Sequence, residues 1–162
     1  MADYLVEFIF NELVNKIEAN KGLALFALRR AKFEGWLKLE LCDSLLKISH
    51  NVVPEKDYID IVFDDWAVEL KTVNTSYRYE SVMNKTRPIT ANVDSVLTDI
   101  RKLRDKNYLH KAVLFVVFPL EENKKEWLKH LDKIKRELKE LHQKPFRFKN
   151  GIGGVIYFGI IE

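Results

Sequence analysis

The stretch YIDIVFDDWAVELKT, Tyr58 to Thr72, decides how this chain reads. Two aspartates, Asp64 and Asp65, separate two apolar runs, the pattern of a tight turn between antiparallel strands. A turn centred there places Phe63 opposite Trp66, Val62 opposite Ala67 and Ile61 opposite Val68. Asp60 then lies opposite Glu69. Directly opposed residues share a face with Cβ atoms about 5 Å apart, and strand alternation adds Lys71 to that face. Tyr58, Val62, Ala67 and Val73 fall on the same side; Ile59, Ile61, Phe63, Val68 and Leu70 fall on the other. Both faces carry apolar residues, so the charges sit inside covered surface, where charged groups usually form a site. Two carboxylates held this close repel unless a cation or a proton intervenes. Removing Asp60 should therefore relieve the protein, and removing Lys71 should destabilise it.

Outward from the hairpin, the N-terminal third reads as helix. Leu5, Phe8, Ile9, Leu13 and Ile17 mark a first helix ending at Asn20 and Gly22. A second runs from about Leu23 to the mid-forties with a bend at Gly35. A strand around His50 to Val53 precedes the hairpin. Val93, Val96, Leu97, Ile100 and Leu103 form a helical row with Asn92 as its N-cap. KAVLFVVF, Lys111 to Phe118, is apolar on both faces, as a central parallel strand should be. Trp127, Leu131, Ile134, Leu138 and Leu141 predict a long amphipathic helix from about Glu121, and GGVIYFGIIE a last strand. The expectation is one α/β domain over residues 1–162, a mixed central sheet flanked by helices, with residues 1–22 outside its minimal core.

Composition bounds the rest. The 162 residues are 47% hydrophobic and 31% charged, which fits a folded chain and argues against disorder. A net charge of +3 leaves any anionic partner to a local patch. Cys42 is the single cysteine, so no internal disulfide forms. Asp3, Glu7 and Glu12 interrupt the first apolar run as a secretory leader would not, and the apolar runs are too short to cross a membrane. These features point to the cytoplasm, or to the host cytoplasm for a viral protein.

A third acid stands on the second helix. Glu40 shares a helical row with Phe33, Leu37 and Ser44 at the border of the packed stripe, while Glu34, beside Lys38, is its competitor. A helical glutamate followed by strands bearing D…E-x-K, then helix and strand, resembles the PD-(D/E)XK nuclease superfamily with its restriction-endonuclease-like fold, α-β-β-β-α-β. The similarity spans about Trp36 to Phe118 and is closest in kind to small stand-alone archaeal or viral members. It departs from the motif in having Ile59, not proline, before Asp60. The resemblance implies a metal-dependent deoxyribonuclease, an endonuclease leaving 5′-phosphates. Asp60, Glu69, Lys71 and Glu40 would be catalytic. Asp60, Glu69, the Leu70 carbonyl and Glu40 would bind Mg²⁺, with Mn²⁺ as a substitute. The alternative is an inactive nucleic-acid-binding or assembly module on the same fold.

DNA would be the partner, and a homodimer is a possible assembly. RKLRDKNYLHK, Arg101 to Lys111, holds five Lys or Arg against one acid. Together with the long connection that begins at Asn74 it nominates Tyr77, Arg78, Lys85, Arg87, Arg101, Lys102 and Arg104 for backbone contacts and base stacking. Asp99 and Lys102 are further candidates to support the acids from the neighbouring helix.

Overall fold

A computed structural model describes residues 2–84 and 88–162. The described residues form three N-terminal helices, α1 (Ala2–Ala19), α2 (Lys21–Arg29) and α3 (Glu34–Leu45), then strands β1 (Val52–Lys56), β2 (Ile59–Phe63) and β3 (Trp66–Asn74). Helix α4 (Ile89–Arg104), strand β4 (His110–Phe118), helix α5 (Lys125–Lys135) and strands β5 (Glu140–Arg147) and β6 (Gly153–Ile161) complete the chain. The sheet order is β1-β2-β3-β4-β6-β5. β3 and β4 run parallel through the α4 crossover, and every other pairing is antiparallel. This is an α/β protein with a six-stranded mixed open sheet flanked by helices.

Alternation along the central strands divides the core. Ala112, Leu114, Val116 and Phe118 of β4 face α1 to α3, while Val113, Phe115 and Val117 face α4 and α5. β3 follows the same rule, with Val68 and Leu70 on the first side and Ala67 and Val73 on the second. The long N-terminal helical run breaks at Arg30, a C-cap in the left-handed region at φ 53°, and not at Gly35, which lies in the first turn of α3. Asn20 caps α2, its side chain accepting from the Leu23 N–H at 3.0 Å. Asn92, expected as the N-cap of the next helix, is not one: α4 begins at Ile89, and Asn92 is buried inside it, donating to the Asn74 carbonyl at 3.1 Å. The stripe expected to continue α5 through Leu141 stops at Lys135, and the chain returns as edge strand β5.

Arg30 fixes the chain leaving β3. It is fully buried, and its guanidinium donates to the carbonyls of Thr75 (2.5 Å), Met83 (2.6 Å) and Tyr77. Its own carbonyl accepts from Asn74 Nδ2 at 2.6 Å. The segment from Thr75 to Met83 is therefore pinned at the carboxyl end of β3. Arg30→Ala would strand three carbonyls and is expected to cost about 3 kcal/mol or more in chemical denaturation.

Candidate active site

β2 pairs with β3 only from Phe63↔Trp66 to Ile61↔Val68. Beyond Ile61 the strands part, and Ile59 packs into the cluster under α4 instead of beside Ile61. The parting leaves the β2-side edge of β3 without a strand partner, and two carboxylates take that place. Asp60 Oδ2 accepts from the Leu70 N–H at 2.8 Å, and Glu34 Oε1 accepts from the Thr72 N–H at 3.3 Å. A strand residue presents its N–H and C=O to the same edge, so the Leu70 carbonyl also faces this notch.

The structure brings Asp60 and Glu69 together, with their carboxyl groups close enough to share a proton. Glu69 is only 4% exposed. Burial, and then the neighbouring Asp60, push its carboxyl up to about 8, so it holds the proton at neutral pH. Burial acts against the Asp60 carboxylate as well. Hydrogen bonds from Glu69, the Leu70 N–H and Lys38 outweigh it and hold Asp60 below the usual range. The repulsion expected between two charges is thus relieved by protonation, and its cost falls on Glu69. The expectation that removing Asp60 relieves the fold transfers to Glu69.

Lysines surround the acids. Lys38 Nζ lies 2.9 Å from Asp60 Oδ1 and also meets Glu55. Lys102 Nζ lies 2.5 Å from Glu69 Oε1. Lys71 Nζ is 3.6 Å from Asp99 Oδ2, a buried oxygen that makes no hydrogen bond. Glu69 and Lys71 both reach α4, so they share the α4 side of β3. Burial raises the Asp99 carboxyl above its usual value despite Lys71 and Lys102.

Glu40 is elsewhere. Its carboxylate pairs with Lys16 of α1 at 3.0 Å, on the far side of α3 from the notch. Glu34 and Lys38, one turn apart on α3, are the residues of that helix that reach Leu70's neighbours and Asp60. The Glu34/Lys38 spacing was the available signal: i and i+4 share a helix face, and that face meets Asp60 and the Thr72 N–H.

The expected nucleic-acid residues do not form one patch. Tyr77 is partly buried against the α4-side core, with the Lys124 ammonium 5.1 Å from its ring centroid. Burial, then Glu126, push its hydroxyl up to about 12. Its ring is a packing element here, not an open stacking platform. Arg78 is exposed. Lys85 and Arg87 lie outside the described residues. Arg101 and Arg104 both engage Glu137, Arg104 at 2.6 Å, on a different face of α4 from Lys102. Lys102 belongs to the acid cluster itself.

The donor set suits a hard divalent cation. Magnesium takes oxygen ligands and is commonly held by one or two carboxylates, completing its shell with water and phosphate. Asp60, Glu69 and the Leu70 carbonyl supply such a set, with the Lys38 and Lys102 ammoniums already beside the two acids. A separate trio, Asp3, Glu140 and His142, also gathers ligand atoms within 4.8 Å of one another, but its two acids are exposed, and exposed acidic groups commonly gather without an ion. Among the described residues no helix is long and apolar enough to cross a membrane. No protein-family model, curated protein or solved structure matches this chain.

Proposed function

We propose that this chain is a divalent-metal-dependent nuclease of the PD-(D/E)XK kind, cutting phosphodiester bonds in DNA. One observation carries the reading. Two carboxyl groups meet in a notch at the open edge of β3, and a lysine stands two residues further along on the same face. The element order α3-β1-β2-β3-α4-β4, with β3 parallel to β4, supports it at the level of fold, which is analogy and not chemistry. Asp60, Glu69 and the Leu70 carbonyl would hold Mg²⁺ or Mn²⁺, with Glu34 in place of Glu40 as the helical acid. Such an ion, when bound, lowers the pKa of water and neutralises charge on the scissile phosphate.

The protein's own residues do the positioning. Asp60 is fixed by the Leu70 N–H and Glu34 by the Thr72 N–H, so both carboxylates ride on the backbone of one rigid strand. Lys71 brings an ammonium to the attacking water or to a phosphate oxygen, where it stabilises charge that develops in the transition state. Asp99 holds that ammonium in place through an ion pair on its far side.

The second reading, a non-catalytic module, has an observation of its own. Asp60 is partnered by Lys38, Glu69 by Lys102 and Asp99 by Lys71, so every acid of the cluster has a lysine beside it without a metal. A cleavage panel separates the two readings. Linear, flapped, branched and single-stranded DNA are incubated with the protein in Mg²⁺, Mn²⁺ or EDTA. The nuclease reading expects cleavage of at least one substrate in metal and none in EDTA. Intact DNA throughout, with binding retained, is the result the non-catalytic reading expects.

A further inference from the structure

The tip of the β1–β2 hairpin carries a residue that the fold does not want. Asp57 (φ 53°) and Tyr58 (φ 62°) both occupy the left-handed region, in the short turn between Lys56 and Ile59. Such turns favour asparagine and glycine, and a bulky side chain there is strained. Tyr58 gains no packing in return, being 88% exposed. A strained, solvent-facing aromatic beside an acid cluster is a reason to look for a ligand.

The turn is braced from α4 and the loop after it. Tyr108 Oη donates to Asp57 Oδ2 at 2.6 Å, Lys106 Nζ to the Asp57 carbonyl at 3.2 Å, and Lys102 Nζ to the Tyr58 carbonyl at 2.5 Å. The same Lys102 ammonium holds Glu69. Asp57, Tyr58, Lys106, Asn107 and Tyr108 enclose an open recess of about 420 Å³. It is therefore tied to the acid pair through one side chain. Its chemistry is two phenol rings, one amide, one ammonium and one carboxylate. Aromatic faces take a base by stacking, whatever its identity. The Asn107 amide and the Asp57 carboxylate offer hydrogen-bonding groups to a base edge. Asp57 repels a phosphate from the recess itself, whereas Lys106, and the exposed Lys56 next along the hairpin, favour one at its rim.

We infer that Tyr58 and Tyr108 form a subsite for one unstacked base, so that the strand delivered to the acid cluster is single-stranded DNA or the open strand of a flap or junction. The inference rests on the nuclease reading for its substrate class, and names none of the residues that would cut. A base inside a duplex is stacked on both faces and cannot enter; an unpaired one enters without melting anything.

Binding measured in EDTA tests the subsite apart from cleavage. Fluorescence anisotropy with a labelled single-stranded oligonucleotide and a blunt duplex is run on wild-type, Tyr58→Ala, Tyr58→Trp and Tyr58→Gly proteins. Loss of one stacking partner predicts about 5- to 100-fold weaker single-strand binding for Tyr58→Ala. Duplex binding should move less than twofold, and Tyr58→Trp should retain affinity. Tyr58→Gly should lose binding equally and melt at a higher temperature, because glycine removes the backbone strain. The inference fails if wild-type protein does not bind single strands, if Tyr58→Ala matches wild type, or if single-strand and duplex affinity fall together. Tyr58-dependent binding with no metal-dependent cleavage of any substrate would sink the nuclease reading and leave the subsite standing. Cleavage with no effect at Tyr58 would do the reverse.

Discussion

Asp60→Asn is expected to abolish Mg²⁺-dependent DNA cleavage, with a loss on the order of 10³-fold, while the protein remains folded. The loss corresponds to about 4 kcal/mol of charge stabilisation, a reasonable share for a hard-cation ligand. Asparagine keeps an acceptor for the Leu70 N–H, so the notch at the edge of β3 should hold its shape. It cannot carry the negative charge that pairs with Lys38 at 2.9 Å. Because the fold holds the Asp60 carboxylate below its usual range, a modest loss of stability at neutral pH follows, seen as a lower melting temperature with unchanged circular dichroism. Lys71→Ala should also stop cleavage, for a different reason: Asp60 and Glu69 remain able to hold an ion. It leaves Asp99 buried without its ion-pair partner and should destabilise the fold at neutral pH. Cleavage kinetics and thermal melts on the two variants, with metal binding as a third readout, separate ligand from positioning cation. Full activity in either variant contradicts the assignment of that residue.

Glu69→Gln is expected to flatten the pH dependence of stability in metal-free protein. The Glu69 carboxyl sits at about 8 in the folded chain, against 4.5 ordinarily. The folded state therefore keeps a proton that the unfolded state releases above about pH 4.5. Stability from this group is fully present below that pH and is lost as pH rises through 8, by roughly 1 kcal/mol per pH unit within the window. Asp60, held low, acts in the opposite sense: its contribution is lost as pH falls through its depressed folded value, below the Glu69 window. His130, whose burial holds its imidazolium back, loses stability as pH falls through the ordinary histidine range and partly masks the Glu69 slope. The difference between wild type and Glu69→Gln cancels the His130 contribution, and that of Asp60 falls below the pH range used. Denaturant melts from pH 5 to 9 should show the variant gaining on wild type as pH rises. A constant difference across that range would mean that Glu69 is ionised throughout.

The hairpin was legible from Ile61 to Val68 because its turn and its two apolar runs agree on one register. The parting of the strands at Asp60, which leaves it unpaired with Glu69 and turns Ile59 to the α4 side, was not. The central strand β4 was legible for a similar reason, since only a strand covered on both sides reads KAVLFVVF. β5 was not. Leu138 and Leu141 continue the helical stripe of α5 in sequence, yet Leu138 packs over Gly159 of β6 and Leu141 pairs with Gly159 across the sheet edge. Pro145, tolerated on an edge strand and costly in a helix, was the dissenting residue. The helical acid was misplaced because the break between α2 and α3 lies at Arg30. No composition rule puts an arginine in the left-handed region, and the reason is distant: its guanidinium binds carbonyls of Thr75, Tyr77 and Met83. Glu34 and Glu40 stand about 120° apart around α3, so with Glu34 turned to the Thr72 N–H of β3, Glu40 turns to Lys16 of α1. The basic array failed as a patch because neighbouring residues of a helix point in different directions. Lys102 turns inward to Glu69, while Arg101 and Arg104 turn to Glu137.

On the proposed function the Asp60–Glu69 pair gives up a proton when a divalent ion binds, and isothermal titration with Mn²⁺ at pH 7 in two buffers of different ionisation enthalpy measures that exchange. One site per chain, release of close to one proton on binding, and affinity that rises with pH until about 8 are expected. Glu69→Gln should bind at least about tenfold more weakly and release no proton from this site. No binding by the wild-type protein, or the same proton release from Glu69→Gln, would contradict the proposed exchange.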